Sequence, residues 1–199
     1  MYYMKNLETM SGQELKEYIE ETKLSISNLS KEYIDKIENK IDETKNKKEL
    51  IQQALMIKKL YKYVEWTNEA IKMNDNVPNR SKVIPKRGEI WTCELGQNIG
   101  SEENKIRPVI ILQNDTGNVN APTTIVVPIS NRPKRIAVHI ALRSGDFILV
   151  EGEKMEITGT VLAEQIRVVS KARLGRHVAT LSDKFMKLLD SKIKISLDL

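Results

Sequence analysis

Apolar residues recur along the first third of the chain at alternating steps of four and three. Leu15, Ile19, Thr22, Ile26, Leu29 and Tyr33 form one such series, and Leu50, Ala54, Ile57, Tyr61, Val64, Asn68 and Ile71 form a second. Such steps keep a stripe on one face of an α-helix, and the seven-residue repeat gives it heptad character. Ser11 followed by Glu14 fits a capping box, in which each residue satisfies an orphan amide of the other. Residues 11–73 contain no proline, and Gly12 is their only glycine. The polar stretch DETKNKKE (42–49) separates the two seams without a helix breaker. Pattern alone therefore allows one rod of about 95 Å or a helical hairpin. A hairpin that buries its seams against each other is the cheaper solution and is the expectation.

The period then changes. NDNVPNRSKVIP (74–85), with two prolines and three asparagines, reads as a linker. Beyond it come short β-prone runs: GEIWTCEL (88–95), PVIILQ (108–113), TTIVVPIS (123–130), IAVHIAL (136–142), DFILVE (146–151) and TVLAEQIRVV (160–169). Closely spaced strands over so short a length predict a small curled sheet or barrel. A final helix follows, capped by Ser182, with Phe185, Leu188, Leu189 and Ile193 as its apolar face. The expected class is α+β: helices over 1–77, a linker at 78–85, and a barrel-like domain at 86–199.

Composition narrows the function. The 199 residues are 40% hydrophobic and carry a net charge of +5, with no apolar run long enough to span a membrane. The N-terminus lacks the apolar core of a secretory signal. One cysteine, Cys93, precludes an intrachain disulfide and fits a reducing cytoplasm. Cys93, His139 and His177 lack zinc-site spacing, so neither a metal nor another cofactor is expected. Residues 1–77 hold 13 Lys against 14 acids, whereas 78–199 hold 19 Lys and Arg against 13. The excess positive charge belongs to the second half and suits a polyanionic partner.

The stretch GSEENKIRPVIILQND (100–115) places Arg107 at the mouth of a strand that reads as fully buried. Together with KRGEIW (86–91), APTTIVVPIS (121–130) and VLAEQIRVV (161–169), in that order, it resembles the MazF/PemK family of toxin–antitoxin toxins. The resemblance runs from about residue 85 to the C-terminus and has no counterpart in 1–77. It implies a compact SH3-like β-barrel with a C-terminal helix, working as a homodimer held in check by a cognate antitoxin. It further implies a metal-independent endoribonuclease that cuts single-stranded RNA. In that chemistry the neighbouring 2′-hydroxyl attacks, leaving a 2′,3′-cyclic phosphate and a 5′-hydroxyl.

By motif, the family's essential arginine falls on Arg107 and its strand-end hydroxyl on Ser130, where threonine is commoner. Ser101 and Glu102 match the loop positions, and Gln165 the glutamine of the Glu-Gln pair. The residue types suit the reaction, because RNA supplies its own nucleophile and the protein must position the phosphate and stabilise its charge. A guanidinium is a planar fork for phosphate oxygens, and a hydroxyl adds one donor. Arginine stays protonated at ordinary pH, so Glu102 is the other candidate proton acceptor; the sequence does not choose. Arg132, Lys134 and Arg135 in the run NRPKR are candidates for holding RNA backbone, with a solvated basic loop as the plainer reading. His139 reads as a surface or packed residue, and Trp91 as core.

Two other functions remain open at this stage. A non-catalytic barrel of the same kind would bind a protein such as gyrase, or DNA or RNA, without cutting. Alternatively, the N-terminal helices would hold a nuclease latent in the same chain, although their near-neutral charge argues against mimicry of RNA.

Overall fold

The computed structural model describes residues 7–38, 47–80, 82–131 and 136–199. Arg132, Lys134 and Arg135, and most of the polar stretch between the two seams, lie outside the described residues. The chain divides into two compact units, Met1–Tyr63 and Val64–Leu199.

In the first unit a 3₁₀ turn (Leu7–Thr9) precedes α1 (Gly12–Glu38). The capping box forms: Glu14 N–H donates to Ser11 Oγ at 3.3 Å, and Ser11 N–H donates to Glu14 Oε2 at 2.7 Å. The second helix, α2 (Lys47–Asp75), contains the division between the units. Among the described residues the expected mutual burial of the seams is not found: Ile26 is 62% and Leu29 68% exposed, and Leu50, Ile57, Tyr61, Val64 and Ile71 are exposed too. The half-buried face of α2 is a different stripe, Met56, Leu60, Tyr63, Trp66 and Ala70, which ends at the buried Met73. Among the described residues no helix is long and apolar enough to cross a membrane.

The second unit is a curled, eight-stranded antiparallel sheet forming a half-barrel. Its strands are β1 (Glu89–Glu94), β2 (Ile106–Ile111), β3 (Thr123–Ser130), β4 (His139–Leu142), β5 (Phe147–Leu149), β6 (Gly159–Leu162), β7 (Arg167–Ser170) and β8 (Leu174–Leu181). The order is β4-β6-β3-β2-β1-β8-β5, with β7 paired to β3. A one-turn helix, α3 (Val77–Arg80), lies in the segment expected as a linker. The run 160–169 is two strands, split by a 3₁₀ turn at Ala163–Gln165. The sequence pattern missed β8, in which Gly175, Arg176 and His177 interrupt the apolar alternation, and it missed the short helix α4 (Asp115–Asn120).

The central strands are continuous apolar runs because both of their faces are covered. On one face Ile90, Ile110, Val127 and Ile129 pack with Val161, Val178, Phe185 and Leu189. On the other, Cys93, Val109, Ile111 and Val126 pack with Leu95, Val169 and Leu174. Burial pushes the Cys93 thiol up to about 12, which leaves it a small apolar core residue at neutral pH. A buried polar knot ties α4 to the sheet. Thr124 Oγ1 donates to Asn118 Oδ1 at 2.8 Å, Asn118 Nδ2 donates to the Gln113 carbonyl at 2.9 Å, and Lys171 Nζ donates to the Asn118 carbonyl.

The last helix, α5 (Asp183–Leu197), covers the first face. Ser182 caps it, accepting from the Phe185 N–H. Phe185 and Leu189 are buried and Ile193 packs behind them, but Leu188 is 44% exposed because it points off the 185–189–193 stripe. Replacing Ser182 with alanine leaves an orphan amide and is expected to cost about 1 kcal/mol. Urea denaturation checks this as a lowered midpoint with an unchanged slope.

Candidate active site

Antiparallel pairing brings the start of β2 and the end of β3 to the same edge of the half-barrel. Val109 pairs with Pro128 and Ile110 with Val127. Continued by two residues, that register sets Arg107 opposite Ser130 on one face of the sheet. Ser130 is 1% exposed and also pairs with Thr160 of β6. The next residue of β6, Gly159, has φ +129°, and a Cβ there would lie 2.6 Å from the Ser130 carbonyl oxygen. Only glycine lets β6 approach the serine so closely.

A single carboxylate joins Arg107 and Ser130, and it belongs to Glu103. Ser130 Oγ donates to Glu103 Oε1 at 2.7 Å, and Arg107 Nε lies 3.1 Å from Glu103 Oε2. The Arg107 Nε–H also donates to the Asn104 carbonyl at 3.2 Å. The side chains of Arg107 and Glu103 are only 26% and 11% exposed, so water screens this pair far less than a surface ion pair.

The loop that carries Glu103 is pinned from several sides. Its N–H donates to Gln165 Oε1 at 2.9 Å, and Gln165 Nε2 donates to the Ser101 carbonyl at 3.2 Å. The Glu103 carbonyl accepts from Asn98 Nδ2 at 2.7 Å and from Arg167 at 3.4 Å. Lys105 turns the chain out of the loop at φ +63°, a conformation unusual for a side-chain-bearing residue.

These contacts place the residues singled out in the sequence. Arg107 and Ser130 come together. Glu102 and Ser101 stand on the rim of the same cavity, where Glu102 Oε2 accepts from the Ile99 N–H at 3.5 Å. Gln165 lines the cavity too, with both polar atoms of its amide committed to loop backbone. The cavity measures about 120 Å³. Across it His139 Nε2 lies 2.8 Å from Glu164 Oε1, with the His139 side chain only 4% exposed. Trp91 is half-buried, stacked on His177 at 5.5 Å between ring centroids and donating to Glu89.

The sequence reading missed Glu103, Arg167 and the His139–Glu164 pair. The clue for Glu103 was present, since Glu102-Glu103 offers two adjacent carboxylates, but only the bent loop shows which one turns inward. Chemically, the arrangement presents a guanidinium and a hydroxyl already converging on two oxygens of an anion. That is the donor pattern a phosphate would use.

Comparison with known proteins follows the same residues. A sequence model of the PemK-like, MazF-like toxins of type II toxin–antitoxin systems matches residues 86–197. A protein named Endoribonuclease MazF, from Staphylococcus saprophyticus, is 39% identical over 116 residues, covering 57% of this chain and 92% of that protein. Among solved structures, that of MazF from Deinococcus radiodurans matches with a TM-score of 0.51 at 18% identity, covering 59% of this chain and all of that one. At that identity the last likeness speaks for the fold alone.

Gln165→Ala should cost about 1–2 kcal/mol, because the half-buried Glu103 amide loses its acceptor. Hydrogen exchange should rise at 101–104 while the β3 amides stay protected. Unchanged exchange in the loop would remove Gln165 from its pinning.

Proposed function

The chain belongs to the PemK-like, MazF-like toxin family, and on that premise we propose that it is an endoribonuclease toxin that cleaves single-stranded RNA by internal transesterification. The 2′-oxygen forms a bond to phosphorus, the bond to the 5′-oxygen breaks, and the 2′-proton is lost as the 5′-oxygen gains one. The products are a 2′,3′-cyclic phosphate and a 5′-hydroxyl. The observation that carries this reading is the convergence of Arg107 and Ser130 on one carboxylate, with donors already oriented for oxyanion binding.

In this reading Arg107 clamps the scissile phosphate and offsets the charge that builds up in the transition state. Ser130 gives a further donor. Its hydroxyl does what threonine would do, and its rotamer is held by Glu103 and the strand instead of by β-branching. A phosphodiester entering the cavity takes both donors from Glu103. The released carboxylate is then the nearest proton acceptor for the 2′-hydroxyl, with Glu102 on the rim. Arginine is assigned no proton transfer, because it stays charged. The basic run containing Arg132, Lys134 and Arg135, together with Ser101, would hold flanking RNA. Phosphate positioning and charge stabilisation require no metal, and activity in chelator is part of the proposal. So are a homodimer, a cognate antitoxin and a cytoplasmic setting.

The test is cleavage of a long mixed-sequence RNA in EDTA by the full chain and by Arg107→Ala. The wild type should cut at defined sites, leaving 5′-hydroxyl ends that a polynucleotide kinase labels directly and 3′ ends that accept no further nucleotide until the cyclic phosphate is opened and removed. Arg107→Ala should lose about 100-fold or more in rate, the scale for removing an oxyanion donor. A folded wild type that binds RNA and never cuts it would turn the reading to the non-catalytic barrel.

A further inference from the structure

The family match begins at residue 86, yet the compact unit that contains the site begins at Val64. The difference, residues 64–85, includes the last part of α2, whose Trp66 touches the root of the loop that carries Glu103. A Cβ built on Gly96 would lie 2.5 Å from Trp66 Cζ2 and 2.6 Å from Cε2, so the indole lies against a backbone that only glycine can offer. Gly96 itself is at φ +89°. On the indole's ring sits the Arg173 guanidinium, 5.1 Å from the centroid. Arg173 in turn donates to the carbonyls of Glu94 and Leu95, each at 3.3 Å.

Gly96 is one side of the loop's neck. Lys105 N–H donates to the Gly96 carbonyl at 2.7 Å, and Leu95 N–H donates to the Lys105 carbonyl at 2.9 Å. Asn98 then spans the interior, its Nδ2 donating to the Leu95 carbonyl at 3.1 Å and to the Glu103 carbonyl at 2.7 Å. The connected path runs from Trp66 through the Gly96–Lys105 neck and Asn98 to Glu103.

We propose that Trp66 is a positioning residue for the catalytic loop: the end of α2, outside the matched family domain, buttresses the loop neck and sets where Glu103 and Arg107 stand. The neck holds two left-handed residues, Gly96 and Lys105, and a packed indole keeps them from relaxing. The functional part of the inference rests on the proposed RNA cleavage; the structural part does not.

Full-length Trp66→Leu and Trp66→Phe are compared with the wild type by hydrogen exchange, RNA cleavage and thermal melting. In Trp66→Leu, exchange at 96–105 should rise while the amides of β2 and β3 stay protected. The kcat for RNA cleavage should fall about 10- to 100-fold with a smaller change in KM, the scale of a misplaced catalytic group. Trp66→Phe, which keeps a flat ring on Gly96, should recover most of the turnover. A Trp66→Leu protein with wild-type loop exchange and wild-type kcat overturns the proposal. If the wild type cuts no RNA but Trp66→Leu loosens the loop, the buttress stands and the nuclease reading fails.

Discussion

Everything around the cavity depends on one carboxylate held by two donors. Glu103 takes a hydrogen bond from Ser130 and an ion pair from Arg107, and each donor reaches it from a different strand. A half-buried arginine needs an anion beside it, because an unpaired charge there would cost several kcal/mol. In the free protein Glu103 is that anion. The arrangement keeps the guanidinium and the hydroxyl oriented before any ligand arrives, which is what electrostatic catalysis requires. In the proposed function it also sets a condition on binding: a phosphate entering there would have to displace the carboxylate or sit against its charge.

The fold supplies the rigidity this needs. β2 and β3 are covered on both faces, so their register is fixed by packing and a one-residue slip would turn core residues outward. Their ends therefore present Arg107 and Ser130 at a fixed separation. Gly159 lets β6 close against the serine, and Gln165, Asn98 and Arg167 hold the loop backbone. The backbone at Glu103 is thus pinned, while the neighbouring Ser101 and Glu102 remain exposed. This division suits a site whose core binds a phosphate common to every nucleotide and whose rim meets the variable bases.

Local chemistry was readable from the sequence, and long-range geometry was not. The caps at Ser11 and Ser182 are short-range hydrogen bonds written into adjacent residues, and both form. Arg107 and Ser130 were singled out through the resemblance of their strand-end motifs to the MazF/PemK family, and the pairing of β2 with β3 brings the two together. Glu103 was hidden because Gln165, more than sixty positions away, and the left-handed turn at Lys105 decide which of two neighbouring glutamates faces inward. The strand β8 was hidden because its polar positions blur the alternation, and it is pairing with β1 and β5 that fixes it. On α2 the period was right and the face was wrong: two apolar stripes share the helix, and the half-buried one is the stripe ending in Trp66, Ala70 and Met73.

The most direct test of this account is the affinity of an uncleavable 2′-O-methyl RNA for the wild type and for Glu103→Gln, measured by fluorescence anisotropy at fixed salt. The account predicts that Glu103→Gln binds more tightly, by about tenfold, because the phosphate no longer competes with a carboxylate for Arg107 or sits against its charge. Binding that is unchanged or weaker in Glu103→Gln, in a protein of native stability, would show that the phosphate does not enter where Glu103 now stands.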